Sequence, residues 1–182
     1  MRLTQTKPMN HCWILCVLLA LAAGWGCDRQ VAPAAVPSAP VDPGEPTSAQ
    51  PQLQTMKLYV GAKEIIAELA LTAQQQRTGM MFRTNMAENA GMLFPLPYTQ
   101  RANFWMKNCP YPLSAAYIDE EGVIREIHDL KPFDTNGVVA AEEYVRFVLE
   151  TQPGWFDRHQ IKPGVVVATE RGSLMQTFFK RQ

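Results

Sequence analysis

The chain has 182 residues, 47% of them apolar and 9% aromatic, a composition that fits one globular core with appendages and not a disordered polymer. Its 17 basic and 17 acidic groups cancel; Arg2 and Lys7 are the only charged side chains of the first 26 residues, so the remainder carries 15 basic against 17 acidic groups. No Lys/Arg cluster stands out on that background, so there is no electrostatic case for a nucleic-acid partner.

Residues 1–26 read as a signal peptide. Arg2 and Lys7 supply the positive start, and Trp13 opens an uncharged run of 11 residues ending at Ala23. That run suits an export signal and falls short of the roughly 20 residues that cross a bilayer comfortably. Gly26 before Cys27 resembles a bacterial lipobox, which makes Cys27 the expected lipidation site. Gly24 and Trp25 depart from the preferred pattern, and two alternatives stay open: ordinary secretory cleavage after Gly24, or an uncleaved anchor. A lipidated Cys27 would hold firmly, because two or more acyl chains give stable membrane attachment where one is marginal. Cys12, Cys16 and Cys27 all belong to this leader, leaving Cys109 alone in the folded part, so no disulfide forms within the domain.

Residues 27–54 contain Pro33, Pro37, Pro40, Pro43, Pro46 and Pro51 and are expected to be an extended, solvated linker. At ~3.1 Å per residue, about 25 residues reach at most ~75 Å. The domain proper is assigned to 55–170 and a C-terminal tail to 171–182.

The domain opens with a half-buried hairpin: an apolar run over 56–60, a turn at Gly61 and Ala62, and an alternating strand through Ile65, Ala67 and Leu69. Thr72 and Gln75 have capping-box spacing, which predicts a helix over 73–82, with Gly79 marking either a close helix contact or an early end. Strands follow at 91–94 and 104–108, separated by a break at Pro95 and Pro97. Pro110 and Pro112 then force a turn or an edge. A hairpin pairs 113–118 with 123–130 through an acidic loop ending in Gly122. Further strands fall at 143–150 and 165–169, the latter after a type II turn at Pro163 and Gly164, with one or two helical turns over 153–159. The tail either packs back as a short helix through Leu174, Phe178 and Phe179 or frays. The expected fold class is α+β, mainly antiparallel β, as a compact barrel-like sheet with one capped helix.

Catalytic signals are sparse. His128 and His159 lie in no recognisable setting near Cys109, and Cys109 before Pro110 reads as a small buried hydrophobe. His128 between Glu126 and Asp129 reads as a solvated face residue, and Asp119 as part of an exposed hairpin tip. There is no paired-His zinc spacing, calcium loop or phosphate-cradling glycine loop, so no metal or cofactor is expected. In an extended strand, Phe104, Met106 and Asn108 face one way and Trp105 and Lys107 the other. Trp105 either packs under a loop, covered by the Lys107 stem, or joins Lys107 and Asn108 in a recognition surface for a small polar ligand, a glycan or an envelope protein.

Several ordered stretches carry a resemblance: Arg77-Thr78-Gly79-Met80-Met81-Phe82-Arg83, Gly91-Met92-Leu93-Phe94, Phe104-Trp105-Met106-Lys107-Asn108 with Pro112-Leu113, Asp119 before Gly122, and Val148-Leu149-Glu150 with Gly154. Together they resemble the domain-of-unknown-function 192 family, bacterial and archaeal domains often found behind export signals. The likeness spans 56 to about 169. Met80 stands where the family prefers Leu, Cys109 where it has Thr, and Ser114 where it has Asp. The resemblance implies a small, mainly β domain and carries no established activity.

The binding candidates are therefore Arg83, Trp105, Lys107, Asn108, Asp119 and Glu150. The expectation is an exported binding or structural module of the cell envelope, periplasmic or extracellular and tethered by lipid at Cys27. The alternative is a hydrolase-like envelope enzyme with Asp119, His128 or Glu150 as acid or base; its requirement is that these groups converge on one point.

Overall fold

The computed structural model describes residues 44–179. The expected leader, Cys27 and the first part of the linker lie outside the described residues. Within them the chain forms ten strands and three short helices: β1 (Thr55–Val60), β2 (Lys63–Leu69), α1 (Ala73–Thr78), β3 (Ala90–Gln100), β4 (Asn103–Phe104), β5 (Leu113–Ile118), β6 (Ile124–Leu130), β7 (Val138–Val139), β8 (Val145–Thr151), α2 (Trp155–Arg158), β9 (Val167–Thr169), β10 (Gly172–Ser173) and α3 (Leu174–Phe178). Eight strands make one sheet in the order β10-β9-β1-β2-β3-β8-β5-β6, and β4 pairs with β7.

Pairing is antiparallel except between β2 and β3, which run parallel from Ile66↔Ala90 to Leu69↔Leu93. A parallel neighbour needs a crossover, and α1 supplies it. Its Thr72 hydroxyl accepts the Gln75 amide at 3.2 Å while the Gln75 side chain accepts the Thr72 amide at 2.9 Å, the capping box read from the sequence. The helix stops earlier than 82, because Gly79 takes φ 46, and a Cβ there would sit 3.5 Å from the Phe94 ring.

The break expected at Pro95 and Pro97 does not occur: β3 runs through both. Its pairing with β2 ends at Leu93, so beyond that point one side of β3 carries no sheet partner, and the amides that proline lacks fall where no ladder needs them. The Gln76 side chain donates to the Pro95 carbonyl at 2.7 Å on that stretch.

The sheet is mainly antiparallel, as expected, with one parallel pair, and the closure implied by a barrel-like fold is not formed among the described residues. β9 pairs with β1 on one side and, at Ala168 and Thr169, with β10 on the other, and only its Val167 amide reaches the β5–β6 hairpin, donating to the Gly122 carbonyl at 2.7 Å. Beside it Val123 and Val166 make a single bridge, with the Ile124 amide donating to the Val165 carbonyl at 2.9 Å.

Every residue of β5 and β8 is buried, because both faces of the sheet are covered. Leu58, Ile65, Leu93, Phe147 and Leu149 face one core with Trp155, Phe156 and Leu174. Met92, Phe94, Tyr117 and Val148 face a second core closed by Met80, Met81, Met106 and Cys109. The tail packs back: Phe178 and Phe179 bring their rings within 6.2 and 5.7 Å of Phe147. Residues 44–54 are not a free linker. Gln50 donates to the Gly79 carbonyl at 2.9 Å, the Leu53 amide to Glu68 at 2.7 Å, and the Leu69 amide to the Gln54 carbonyl at 2.9 Å. No helix among the described residues is long and apolar enough to cross a membrane.

Candidate functional site

The second core is closed by two irregular segments, 79–82 and 105–109, where a helix end and a strand are expected from the sequence. After Gly79 the chain buries Met80 and Met81, then turns at Phe82 (φ 63), whose amide donates to the Asn108 carbonyl at 2.7 Å. Residues 105–109 form a turn: the Met106 amide donates to the Asp134 carbonyl at 2.7 Å, the Cys109 amide to the Met106 carbonyl at 3.1 Å, and Asn108 takes φ 56, a conformation that asparagine tolerates. Strict two-residue alternation is therefore replaced by a turn that sends Met106 and Cys109 inward and leaves Trp105 46% exposed.

The Lys107 ammonium lies 5.5 Å from the centre of the Trp105 ring, within cation–π range. With Arg77, Met81, Glu45 and Pro46 these residues line a cleft of about 380 Å³. Beneath it is a cavity of about 40 Å³, bounded by the same Arg77, Met81 and Trp105 and by Phe94, Phe104, Cys109 and Glu150. The mouth thus carries an aromatic ring, two cations and Glu45, and the cavity wall carries Glu150.

Glu150 reaches that cavity from β8, where its neighbours across the sheet are Met92 and Ala115. It is 4% exposed, and its Oε2 has no hydrogen-bond partner among the described residues. Burial pushes its carboxyl up to about 8, so at neutral pH it is mostly the uncharged acid, able to donate one hydrogen bond and accept others. Buried polar atoms are nearly always paired, and an unpaired carboxyl oxygen at a cavity wall calls for a partner. Burial, and then the charge of Glu150, raises the Cys109 thiol to about 12, which removes it as a thiolate nucleophile.

Of the six binding candidates, Trp105 borders both spaces, Lys107 lines the cleft and Glu150 lines the cavity. Asn108 serves the turn through its backbone. Arg83 forms a bidentate pair with Glu68, at 2.5 and 2.9 Å, and also reaches the Pro51 carbonyl at 3.4 Å, so it pins residues 50–54 to β2. Asp119 is buried rather than an exposed hairpin tip: it accepts the Val123 amide at 2.8 Å and pairs with Arg125 at 2.5 Å. It lines a separate cleft of about 630 Å³ with Glu120, Glu121, Glu126 and Arg125. That cleft is larger, but its inward acids already have partners: Glu126 bonds His128 at 2.7 Å, and also the Tyr144 hydroxyl and the Ala141 amide.

His128 is accordingly held by Glu126 and lies, tilted at 55°, 4.9 Å from the Tyr117 ring, with 27% of its side chain exposed. In the sheet it and Glu150 flank Ala115 on opposite sides, two strand spacings or about 10 Å apart. Asp119, His128 and Glu150 do not share a point. Among the described residues no group of three or more His, Cys, Asp or Glu is placed to hold a metal. Ser114 donates to Asp129 at 2.8 Å and accepts the Gly154 amide at 2.8 Å, so it ties β6 and the start of α2 to β5.

Arg77, Met81, Glu45 and Pro46 were not among the sequence candidates. Arg77 reaches the cleft from the last turn of α1 and Met81 from the segment after the stop at Gly79, and the glycine was the available signal. Glu45 and Pro46 sit in a tract whose composition gives no sign that it docks.

A family model described as Uncharacterized ACR, DUF192, matches residues 56–169. The chain belongs to the DUF192 family. Several of the stretches that carried the resemblance meet at one place in this DUF192 domain: residues 77–81, Phe94, Phe104, Trp105 and Glu150 all border the small cavity. Two solved structures are similar to the chain. One, from Sinorhizobium meliloti 1021 and described as a candidate transcription regulator, is 29% identical with a TM-score of 0.62, covering 66% of this chain and 97% of that one. The other, a protein of unknown function from Novosphingobium aromaticivorans DSM 12444, is 28% identical with a TM-score of 0.60, covering 72% and 99%. The curated proteins contain no match to the chain.

Proposed function

We propose that this DUF192 protein is an exported, membrane-tethered binding module of the cell envelope, and that the Trp105 cleft is its recognition site. The observation that carries the site is the unpartnered Oε2 of buried Glu150 beneath a half-exposed Trp105 flanked by Arg77 and Lys107. Such a constellation suits a small ligand, or a short segment of a partner, with an anionic group for the cations, a flat or apolar part for Trp105, and one polar atom for Glu150. Export and tethering rest on the leader and on Gly26-Cys27.

A ligand-stabilisation screen tests the site, because a compound that prefers the folded state raises its melting temperature. A compound that stabilises the wild type and fails with both Trp105→Ala and Glu150→Gln supports the cleft; one that stabilises all three equally places binding elsewhere. Cys27→Ser tests the tether: release from the membrane fraction is expected, and retention removes lipidation from the account.

The enzyme reading keeps one specific support. A carboxyl raised to about 8 in a cleft is the state a general acid needs at neutral pH. Glu150→Gln separates the two: loss of turnover with ligand affinity retained favours catalysis, whereas loss of affinity favours recognition.

A further inference from the structure

The cleft is not empty of its own chain. The Glu45 carboxylate meets the Lys107 ammonium at 2.6 Å, the Gly44 carbonyl accepts from Arg77 at 3.4 Å, and Pro46 lines the same wall as Trp105 and Met81. Both cations at the mouth are thus engaged by one short segment that offers them a carboxylate and a backbone carbonyl. We propose that the cleft binds carboxylate-bearing peptide segments, and that residues 44–46 occupy it in cis as a displaceable stand-in for the external ligand. The inference rests on the reading of this cleft as a binding site.

The two ends of the docked segment are held differently. From Gln50 onward the backbone is fixed: Gln50 donates to the Gln75 and Gly79 carbonyls at 3.1 and 2.9 Å, and Leu53 and Gln54 bond to Glu68 and Leu69. Ahead of that anchor Thr47, Ser48 and Ala49 are exposed. Glu45 and Lys107 keep 26% and 34% of their side-chain surface in water, and ion pairs of that exposure hold weakly. The tip can lift while the anchor stays. A tip tethered a few residues from its anchor has an effective concentration on the order of millimolar, so it suppresses weak binding and yields to tighter ligands. The tether toward the expected membrane anchor leads directly into this tip, which places the switch where the domain meets its linker.

The experiment uses the full-length chain in detergent micelles and a fluorescent N-acetyl Gly-Glu-Pro-Thr amide, whose sequence is that of the tip, with the Gln-containing peptide as its counterpart. The readout is anisotropy. The Glu peptide is expected to bind the Glu45→Gln protein up to about fivefold tighter than wild type, the Gln peptide to bind neither, and Lys107→Met to abolish binding in both backgrounds. Trp105→Ala serves as a second cleft variant, and a melting curve for each variant shows that it is folded. Equal affinity of wild type and Glu45→Gln overturns cis occupancy, and equal binding of the two peptides overturns the carboxylate assignment. If neither peptide binds while a screened compound still stabilises the protein through Trp105 and Glu150, the inference falls and the binding-site reading stands. If no ligand acts through those residues, both fall.

Discussion

Two carboxyl groups in this domain are almost equally hidden, Asp119 at 3% exposure and Glu150 at 4%, yet their surroundings are opposite. Asp119 closes the hairpin between β5 and β6, with the Val123 amide on one oxygen and Arg125 on the other. Glu150 projects from β8 to the wall of a cavity with its Oε2 unpaired and its carboxyl raised to about 8. Burial alone therefore does not mark a site. A buried acid with its partners supplied belongs to the fold, and one left without a partner at a cavity wall is a candidate for binding or proton transfer.

The comparison predicts effects of different size. The largest is the pH dependence contributed by Glu150. Its folded value, about 8, lies above the ordinary 4.5, so the folded state holds the proton more tightly than the unfolded chain. Its stabilising contribution is complete below about pH 4.5 and is lost as pH rises through about 8, on the order of a few kcal/mol in total. Glu150→Gln removes that term. Urea titrations at pH 5 and pH 8 are expected to show a fall in wild-type stability that the variant lacks, and parallel pH profiles would break the contrast between the two acids.

Asp119→Ala comes next. It strands the buried Val123 amide and the Arg125 pairing and is expected to destabilise by about 1–3 kcal/mol in the same titrations, while leaving ligand affinity at the Trp105 cleft unchanged. Smallest is Lys107→Met. A partly exposed ion pair contributes about 0–1 kcal/mol, so the melting temperature should barely move while anion binding is lost.

Local signals were legible wherever one residue pair fixes one contact. Thr72 and Gln75 announced the start of α1, and the acidic loop with Gly122 announced the β5–β6 hairpin, whose registers run from Leu113↔Leu130 to Ile118↔Ile124. What sequence could not give was the choice of partner strand. The parallel pairing of β2 with β3 depends on where α1 delivers the chain, and the survival of β3 through Pro95 and Pro97 depends on its pairing with β2 ending at Leu93. The site was half legible for a related reason. Trp105, Lys107 and Glu150 could be named because their chemistry is unusual, but bringing Glu150 beneath Trp105 requires the turn at 105–109 and the helix stop at Gly79, both set by positive φ angles. The docking of residues 44–54 was hidden by a proline-rich composition, since it is made by individual side chains such as Gln50 and Glu45 rather than by a repeating pattern.

The central claim, that Glu150 waits as an unpartnered neutral acid beneath the Trp105 cleft, is tested most directly by following its carboxyl carbon by NMR through a pH titration, with Glu150→Gln identifying the resonance. A midpoint near 8 is the expected result. A midpoint near 4.5 would show a solvated or paired carboxylate and contradict the account.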